Sequence, residues 1–340
     1  MHNNIYTRLT RWEFWPTWLL YFPVLIQYLY HSIRSQSFFY YSAVNPEIEA
    51  GGLFGASKIK QLAFLHKALI PNSTFIGNNI SLEELLTIIE KYNYQYPIIA
   101  KPDKAERGIG IELIKNEGQL IEYFEKAKYE FILQEYINFP FEAGVFFYRM
   151  PNEQTGKITS IVIKELLHVK GDGKKNIETL MKNNYRASLV IEKQKHLGTI
   201  NFKRILAADE VLLLEPIGNH NRGTMFINGN HYINPILEKT INEISRQLPS
   251  FYYGRFDLRA PNIEDFVNGK NLKIMEVNGV NAEPAHIYDP STKLVDGLKT
   301  LLVYWKVIFK ISQINIKAGI KPMRFREAKS HYRNWKAVKT

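Results

Sequence analysis

Tyr96–Ile111, YPIIAKPDKAERGIGI, decides how the rest of the chain is read. An apolar run ends in Lys101, and the polar loop behind it closes on Arg107-Gly108-Ile109-Gly110, a pattern able to wrap backbone N–H groups around phosphate oxygens. Two later stretches, GRFDLRA at 254–260 and IMEVNGVN at 274–281, set Asp257, Glu276 and Asn278 on strand-like runs. All three are hard oxygen donors, the kind Mg²⁺ takes when it also holds phosphates. Together the three segments read as a nucleotide site.

Each piece alone has a plainer meaning. Two glycines near a strand end commonly make a turn, Lys101 is equally a strand-end surface lysine, Glu276-x-Asn278 a solvated edge and Asp257 a turn cap. The order of all of them along the chain is what favours the joint reading. Two ammonium groups and a nest of N–H groups would neutralise a triphosphate while oxygen donors hold the metal across it.

Outward from this stretch the chain alternates regularly. Helical spacing of Ile59, Leu62, Leu65 and Leu69 predicts a helix over 57–69, and Ser81 with Glu84 makes a capping-box signature for a second to about Tyr92. Strands at 97–101 and 109–115, a helix at 118–128 and a strand at 131–137 follow. Beyond Pro140 the pattern is strand-rich, at 144–150, 158–167, 211–214, 223–227 and 272–277, with helices at 176–192, 234–248 and 291–312. This predicts an α+β body, with a smaller lobe before about residue 138 and a larger one after it.

The ends of the chain differ from the body. Residues 14–30, FWPTWLLYFPVLIQYLY, are uncharged, aromatic and interrupted by Pro16 and Pro23. The run is short for a membrane span and lacks the cleavage site of a signal peptide. A helix packed on the body or on a second subunit, and an interfacial membrane contact through its Trp and Tyr residues, are the two readings it supports. From Lys306 onward ten Lys or Arg, Lys339 the last of them, face the single acid Glu327, so this tail holds most of the formal charge of +11. Because the body outside the tail carries almost none of that charge, its distribution argues against nucleic acid as a partner of the body, whereas an anionic membrane surface suits the tail together with the aromatic segment. No cysteine is present, which excludes disulfides, thiolate metal sites and cysteine nucleophiles and fits a reducing, cytoplasmic setting, extended by the two ends to the inner face of a membrane. A homodimer is compatible with the packed-helix reading.

Over about 51–312 the order and spacing of these motifs resemble the ATP-grasp enzymes, which hold ATP between two α+β lobes and include D-alanine–D-alanine ligase, glutathione synthetase and cyanophycin synthetase. The resemblance implies an ATP-grasp fold divided into an aromatic segment (1–50), a small lobe (51–138), a large lobe (139–312) and a basic tail (313–340). It implies that Lys58 and Lys101 meet phosphate, with Arg107, Gly108 and Gly110 in the glycine loop. Leu133-Gln134-Glu135-Tyr136-Ile137 is similar to the segment that holds adenine, giving Gln134, Glu135 and Ile137, and Glu142 falls where a carboxylate binds ribose. Asp257, Glu276 and Asn278 correspond to the ligands of Mg²⁺, two ions in the family pattern, with Mn²⁺ as a substitute. Arg255 stands where an arginine faces an acyl phosphate. Arg222, in the Gly218–Gly223 loop, is the second catalytic candidate as part of a lid over the phosphates; a polar hairpin turn is the other reading of that loop. His168-Val169-Lys170-Gly171-Asp172-Gly173 is similar to a segment of cyanophycin synthetase, with Asn176 replacing its Thr. The implied activity is a carboxylate–amine, or other carboxylate–nucleophile, ligase acting through an acyl phosphate on small molecules; an ATP-grasp kinase using the same nucleotide residues is the alternative. Only about 50 aromatic-rich residues stand before the lobes in this sequence, where the resemblance leads one to expect a further domain; both substrates are therefore left open, with Asn45, Glu47 and Glu49 as candidate contacts.

Overall fold

The computed structural model describes residues 11–106, 108–198 and 200–337; Arg107 and Lys339 lie outside them. Two antiparallel sheets organise the chain. The first has four strands in the order β1–β4–β2–β3, where β1 is Ser73–Ile76, β2 Ile98–Pro102, β3 Glu112–Ile114 and β4 Phe131–Glu135. Helices α3 (Leu82–Lys91) and α4 (Glu117–Lys126) belong to the same unit, α2 (Lys58–Ala63) having preceded it. The capping box at the start of α3 is made: Ser81 Oγ accepts from the Glu84 amide at 3.1 Å, and the Ser81 amide donates to Glu84 Oε2 at 2.7 Å. Leu85, Leu120, Ile98, Ala100 and Leu133 close this core.

The second sheet has five strands in the order β11–β10–β5–β6–β9, namely β5 Phe141–Tyr148, β6 Lys157–Glu165, β9 Met225–Asn228, β10 Tyr253–Ala260 and β11 Lys273–Asn278. A two-stranded ribbon of β7 (His168–Lys170) and β8 (Val211–Leu213) stands beside it. Side chains alternate across the sheet. Val145, Phe147, Phe256 and Leu258 pack with Leu237, Ile241 and Ile244 of α7 (Pro235–Ser245) on one face. Phe146 and Tyr253 point to the other, where they meet Tyr304 and Val307 of the long helix α9 (Leu294–Lys317). That second face also bears Glu142, Arg255, Asp257 and Arg259, since Arg255 is paired with Phe146, Asp257 with Gly144 and Arg259 with Glu142.

The expected helix over 176–192 is two helices, α5 (Ile177–Asn183) and α6 (Tyr185–Leu197). Asn184 breaks the run because its extended backbone lets the side chain accept from the amides of Arg186 and Ala187, capping the second helix. Asn176 likewise caps α5 through the Thr179 amide, a role Thr fills equally well. A short α8 (Ile263–Val267) precedes β11.

The aromatic N-terminal run forms α1 (Thr17–Arg34), with Pro23 inside it. Val24 packs with Ile287 and Leu301 against α9, and Trp12 donates its indole N–H to the Thr292 carbonyl at 2.9 Å. The opposite side of α1 is exposed: Trp18, Phe22, Leu25, Ile26, Leu29 and Ile33 all lie open. No helix among the described residues is long and apolar enough to cross a membrane. The tail continues as α10 (Phe325–Ala337), whose Tyr332 and Trp335 lie against Phe54.

Candidate active site

A cleft of about 980 Å³ opens between the glycine loop of the small sheet, the cleft face of the large sheet and α1. Lys58, Lys101, Gly108, Gln134, Glu142, Arg255, Asp257, Glu276 and Asn278 all reach it. Of the expected adenine segment, Gln134 and Tyr136 line the cleft, whereas Glu135 is turned to the surface, its Oε2 accepting from the Asn72 amide, and Ile137 is buried behind it.

Lys101 is the most telling residue. It is buried at the end of β2 and donates to Gln134 Oε1 at 3.0 Å and to the Met275 carbonyl at 3.1 Å, yet it forms no ion pair among the described residues. Burial pulls its ammonium down from 10.5 to about 8; Glu276 opposes that fall and Lys58 adds to it. The Met275 carbonyl is available because of a bulge. Asp257 faces Glu276 across the β10–β11 ladder while Leu258 faces Ile274, so Met275 is the extra residue. Without that bulge Ile274 and Glu276, two residues apart, would share a face; with it Ile274 enters the core and Glu276 the cleft.

Lys58 sits at the start of α2, capped by Ser57, and donates to the carbonyls of Asp103 (3.2 Å) and Ala105, with Glu276 Oε1 3.7 Å away. The two lysines thus reach neighbouring residues of β11 from separate elements, Lys101 at the Met275 carbonyl and Lys58 at the Glu276 carboxylate. Gly108 holds φ +74°, a left-handed backbone that favours glycine, with the Asn219 side chain lying against it. Arg222 donates to the carbonyls of Gly108 (2.9 Å) and Ile111 (2.8 Å) and pairs with Glu215 at 3.3 Å. It therefore clasps the glycine loop from the Gly218–Gly223 loop, where His220–Arg222 form a turn of 3₁₀ helix instead of a hairpin turn.

Arg255 grips Asp257 with two bonds of 2.9 Å, Lys164 lies 3.3 Å from the same carboxylate, and Asn278 donates to it at 3.0 Å. Burial would raise Asp257, but Arg255 and Lys164 outweigh it and hold the carboxyl down at about 2. Glu142, the candidate ribose carboxylate, lines the cleft already paired with two cations. Its Oε1 accepts from Lys164 at 3.0 Å and its Oε2 from Arg259 at 2.7 Å, and against the cost of burial these cations hold it below the usual range. Gly144, opposite Asp257, makes room for this cluster: a Cβ there would lie 3.0 Å from both Arg255 Cδ and Asp257 Oδ1.

Asn45 is not a substrate contact. It is fully buried, with its side chain bonded to the backbone of Gly51, Tyr252 and Tyr253. Glu13 joins the site without any local sequence signal, whereas Glu283 comes from the loop at 281–286 that directly follows the Glu276-x-Asn278 pair, a place from which it could read the substrate. Glu13 is buried against Arg186 and 3.2 Å from His220, and Glu283 accepts hydroxyl bonds from Tyr21 and, at 2.7 Å, Tyr288. Arg259 had a signal, its place two residues after Asp257 on one strand.

These residues suit a nucleotide triphosphate with a divalent metal. A buried cation with no ion pair, a glycine loop with Gly108 at positive φ, and the buried oxygen Asn281 Oδ1 with no hydrogen-bond partner, the two absences taken among the described residues, are features a ligand would complete. Asp257, Glu276 and Asn278 supply two carboxylates and one carboxamide oxygen. No cluster of three or more His, Cys, Asp or Glu with metal-site geometry occurs among the described residues, so phosphate oxygens would have to complete the coordination.

Residues 55–153 match the RimK-like ATP-grasp domain family. The two-sheet architecture just described is an ATP-grasp fold. Among solved structures it is similar to a bifunctional glutathione synthetase from Pasteurella multocida, at 17% identity over 73% of this chain and 36% of that one, with a TM-score of 0.38. It is also similar to the VanG D-Ala:D-Ser ligase from Enterococcus faecalis, at 15% identity over 76% and 63%, TM-score 0.43. A D-alanine–D-alanine ligase from Bacillus anthracis aligns at 15% identity over 76% and 70%, TM-score 0.38. The chain thus spans 36% and 63% of the length of the first two. No curated protein matches it.

Proposed function

We propose that this chain is an ATP- and Mg²⁺-dependent ligase that joins a small-molecule carboxylate to an amine. The observation that carries the reading is the arrival of Lys58 at Glu276 and of Lys101 at the adjoining Met275 carbonyl, beside the Arg255–Asp257 pair, in one cleft closed by a glycine loop. In this reading a carboxylate oxygen of the first substrate attacks the γ-phosphorus of ATP and ADP leaves. The amine then attacks the acyl carbon of the acyl phosphate; the carbon–oxygen bond to phosphate breaks, phosphate departs and the nitrogen gives up a proton.

Both steps gather negative charge on oxygen, so the contribution of the protein is positioning and electrostatic stabilisation. Lys58 and Lys101 neutralise phosphate oxygens. Arg255 holds its planar fork at the junction of Asp257 with the rest of the cleft, where a developing oxyanion needs a donor. Arg222 keeps the glycine loop down and water out. Asp257, Glu276 and Asn278 would hold Mg²⁺, which supplies a Lewis acid to the phosphates. Asn281 Oδ1, together with the Glu283 carboxylate, is set to receive the N–H groups of the amine.

The test is product analysis with purified protein, ATP and Mg²⁺ against pools of carboxylates and amines. ADP, free phosphate and a new amide in equal amounts are expected, and Glu276→Gln should lower turnover at least about 100-fold with an unchanged circular dichroism spectrum. Phosphate retained on an acceptor would replace the ligase by a kinase. Full turnover in Glu276→Gln would overturn the site.

A further inference from the structure

The cleft has a second half that the nucleotide does not explain. Beyond Arg255 its wall is built by Trp18, Tyr21, Phe22 and Leu25 of α1 with Leu301 and Trp305 of α9, and at about 980 Å³ the whole cleft is at the upper end of the roughly 300–1,000 Å³ of a single small-molecule site. Between the two halves stand Arg255 and Glu283, the latter bonded to Tyr21 of the same helix. α1 holds no charged side chain before Arg34, and its apolar surface does not stop at the rim. Trp18 (72% exposed), Phe22 (59%) and Leu25 (50%) line the cleft mouth, and Ile26, Leu29 and Ile33 carry the stripe on along the outside. A cation at the inner end, and an uncharged aliphatic and aromatic ramp at the outer end, form an amphiphilic site.

We infer that the carboxylate substrate is an amphiphile, an acid bearing a long alkyl or aryl tail. Its head lies beside Arg255, and its tail runs out along α1. This deepens the ligase reading and rests on it for the placing of the head. The area argument decides against a short polar acid: such a substrate would leave the α1 wall wetted, whereas each methylene laid on it contributes up to about fourfold in affinity.

The experiment is calorimetric binding of acetylglycine, octanoylglycine and tetradecanoylglycine, below their micelle concentrations, with and without a non-hydrolysable ATP analogue, whose own binding is measured separately. Affinity should rise about two- to fourfold per methylene along the series. Phe22→Asp and Leu25→Asp, both at exposed positions, should remove that gain, Phe22→Leu should retain it, and all three should bind the ATP analogue as the parent does. A flat series, or a gain that survives both aspartates, overturns the inference whether or not ATP binds. So does a flat series with binding to anionic phosphatidylglycerol vesicles lost in the aspartate variants, which would make the face a membrane surface, or a dimer that the same variants split. A steep series in a protein that does not bind the ATP analogue would keep the tail site and refute the ligase reading instead.

Discussion

Lys101 makes the binding of ATP dependent on pH in a direction the structure sets. Its ammonium lies at about 8 against an ordinary 10.5, chiefly because burial penalises the charge by more than the nearby Glu276 carboxylate restores. At 1.36 kcal/mol per unit, that depression is about 3 kcal/mol of unfavourable charging, which a bound phosphate would relieve. The bound-state value must then exceed the free-state value, so binding takes up a proton wherever the free lysine is neutral. Below pH 8 both states hold the proton and affinity is flat. Above it, affinity falls about tenfold per pH unit until the bound-state value is reached. Calorimetry in buffers of differing ionisation enthalpy should find uptake of ~0.1 proton per ATP at pH 7 and ~0.9 at pH 9. Lys101→Met should abolish the uptake and weaken binding at pH 7 by about 1.5–3 kcal/mol, the worth of a charged hydrogen bond, while adenosine binding stays within twofold. Absence of uptake at pH 9, or uptake that persists in Lys101→Met, would refute the assignment of this lysine to phosphate.

Arg222→Met removes both bonds to the glycine loop, so hydrogen exchange at 108–111 should quicken and the KM for ATP rise about tenfold without a change in thermal midpoint. Glu142→Gln leaves Lys164 and Arg259 buried without their shared carboxylate, and urea unfolding should show a loss of about 3–5 kcal/mol. Asp257 lies at about 2 in the fold against 3.8 ordinarily, so its pairing stabilises the protein above pH 3.8 and is lost as pH falls through 2, worth about 2 kcal/mol in an acid titration of unfolding. Asp257→Asn should flatten that part of the titration.

Much of the molecule was legible as sequence because its signals are local. The capping box of α3, the alternation of GRFDLRA and the turn chemistry of the glycine loop each lie within a few residues, so backbone sterics and side-chain period dictate them whatever the surroundings. Resemblance carried Lys58, Lys101, Asp257, Glu276 and Asn278 into one candidate set, and tertiary structure brings all five to one cleft. Nothing local distinguishes a carboxylate that is free from one that is engaged. Glu142 looked like a ligand for ribose, but its partners Lys164 and Arg259 arrive on two other strands, and register alone decides that they meet. The bulge at Met275 is equally silent in the sequence, being the compromise that sends Ile274 and Glu276 to opposite faces. The aromatic segment divided the same way. Its composition determined that it would be a helix seeking an apolar surface, while only the packing of Val24 and Trp12 on α9 decided which side is buried. The rest was left as a wall of the cleft, because one helix buries one face against one neighbour and leaves the other for whatever comes to the site.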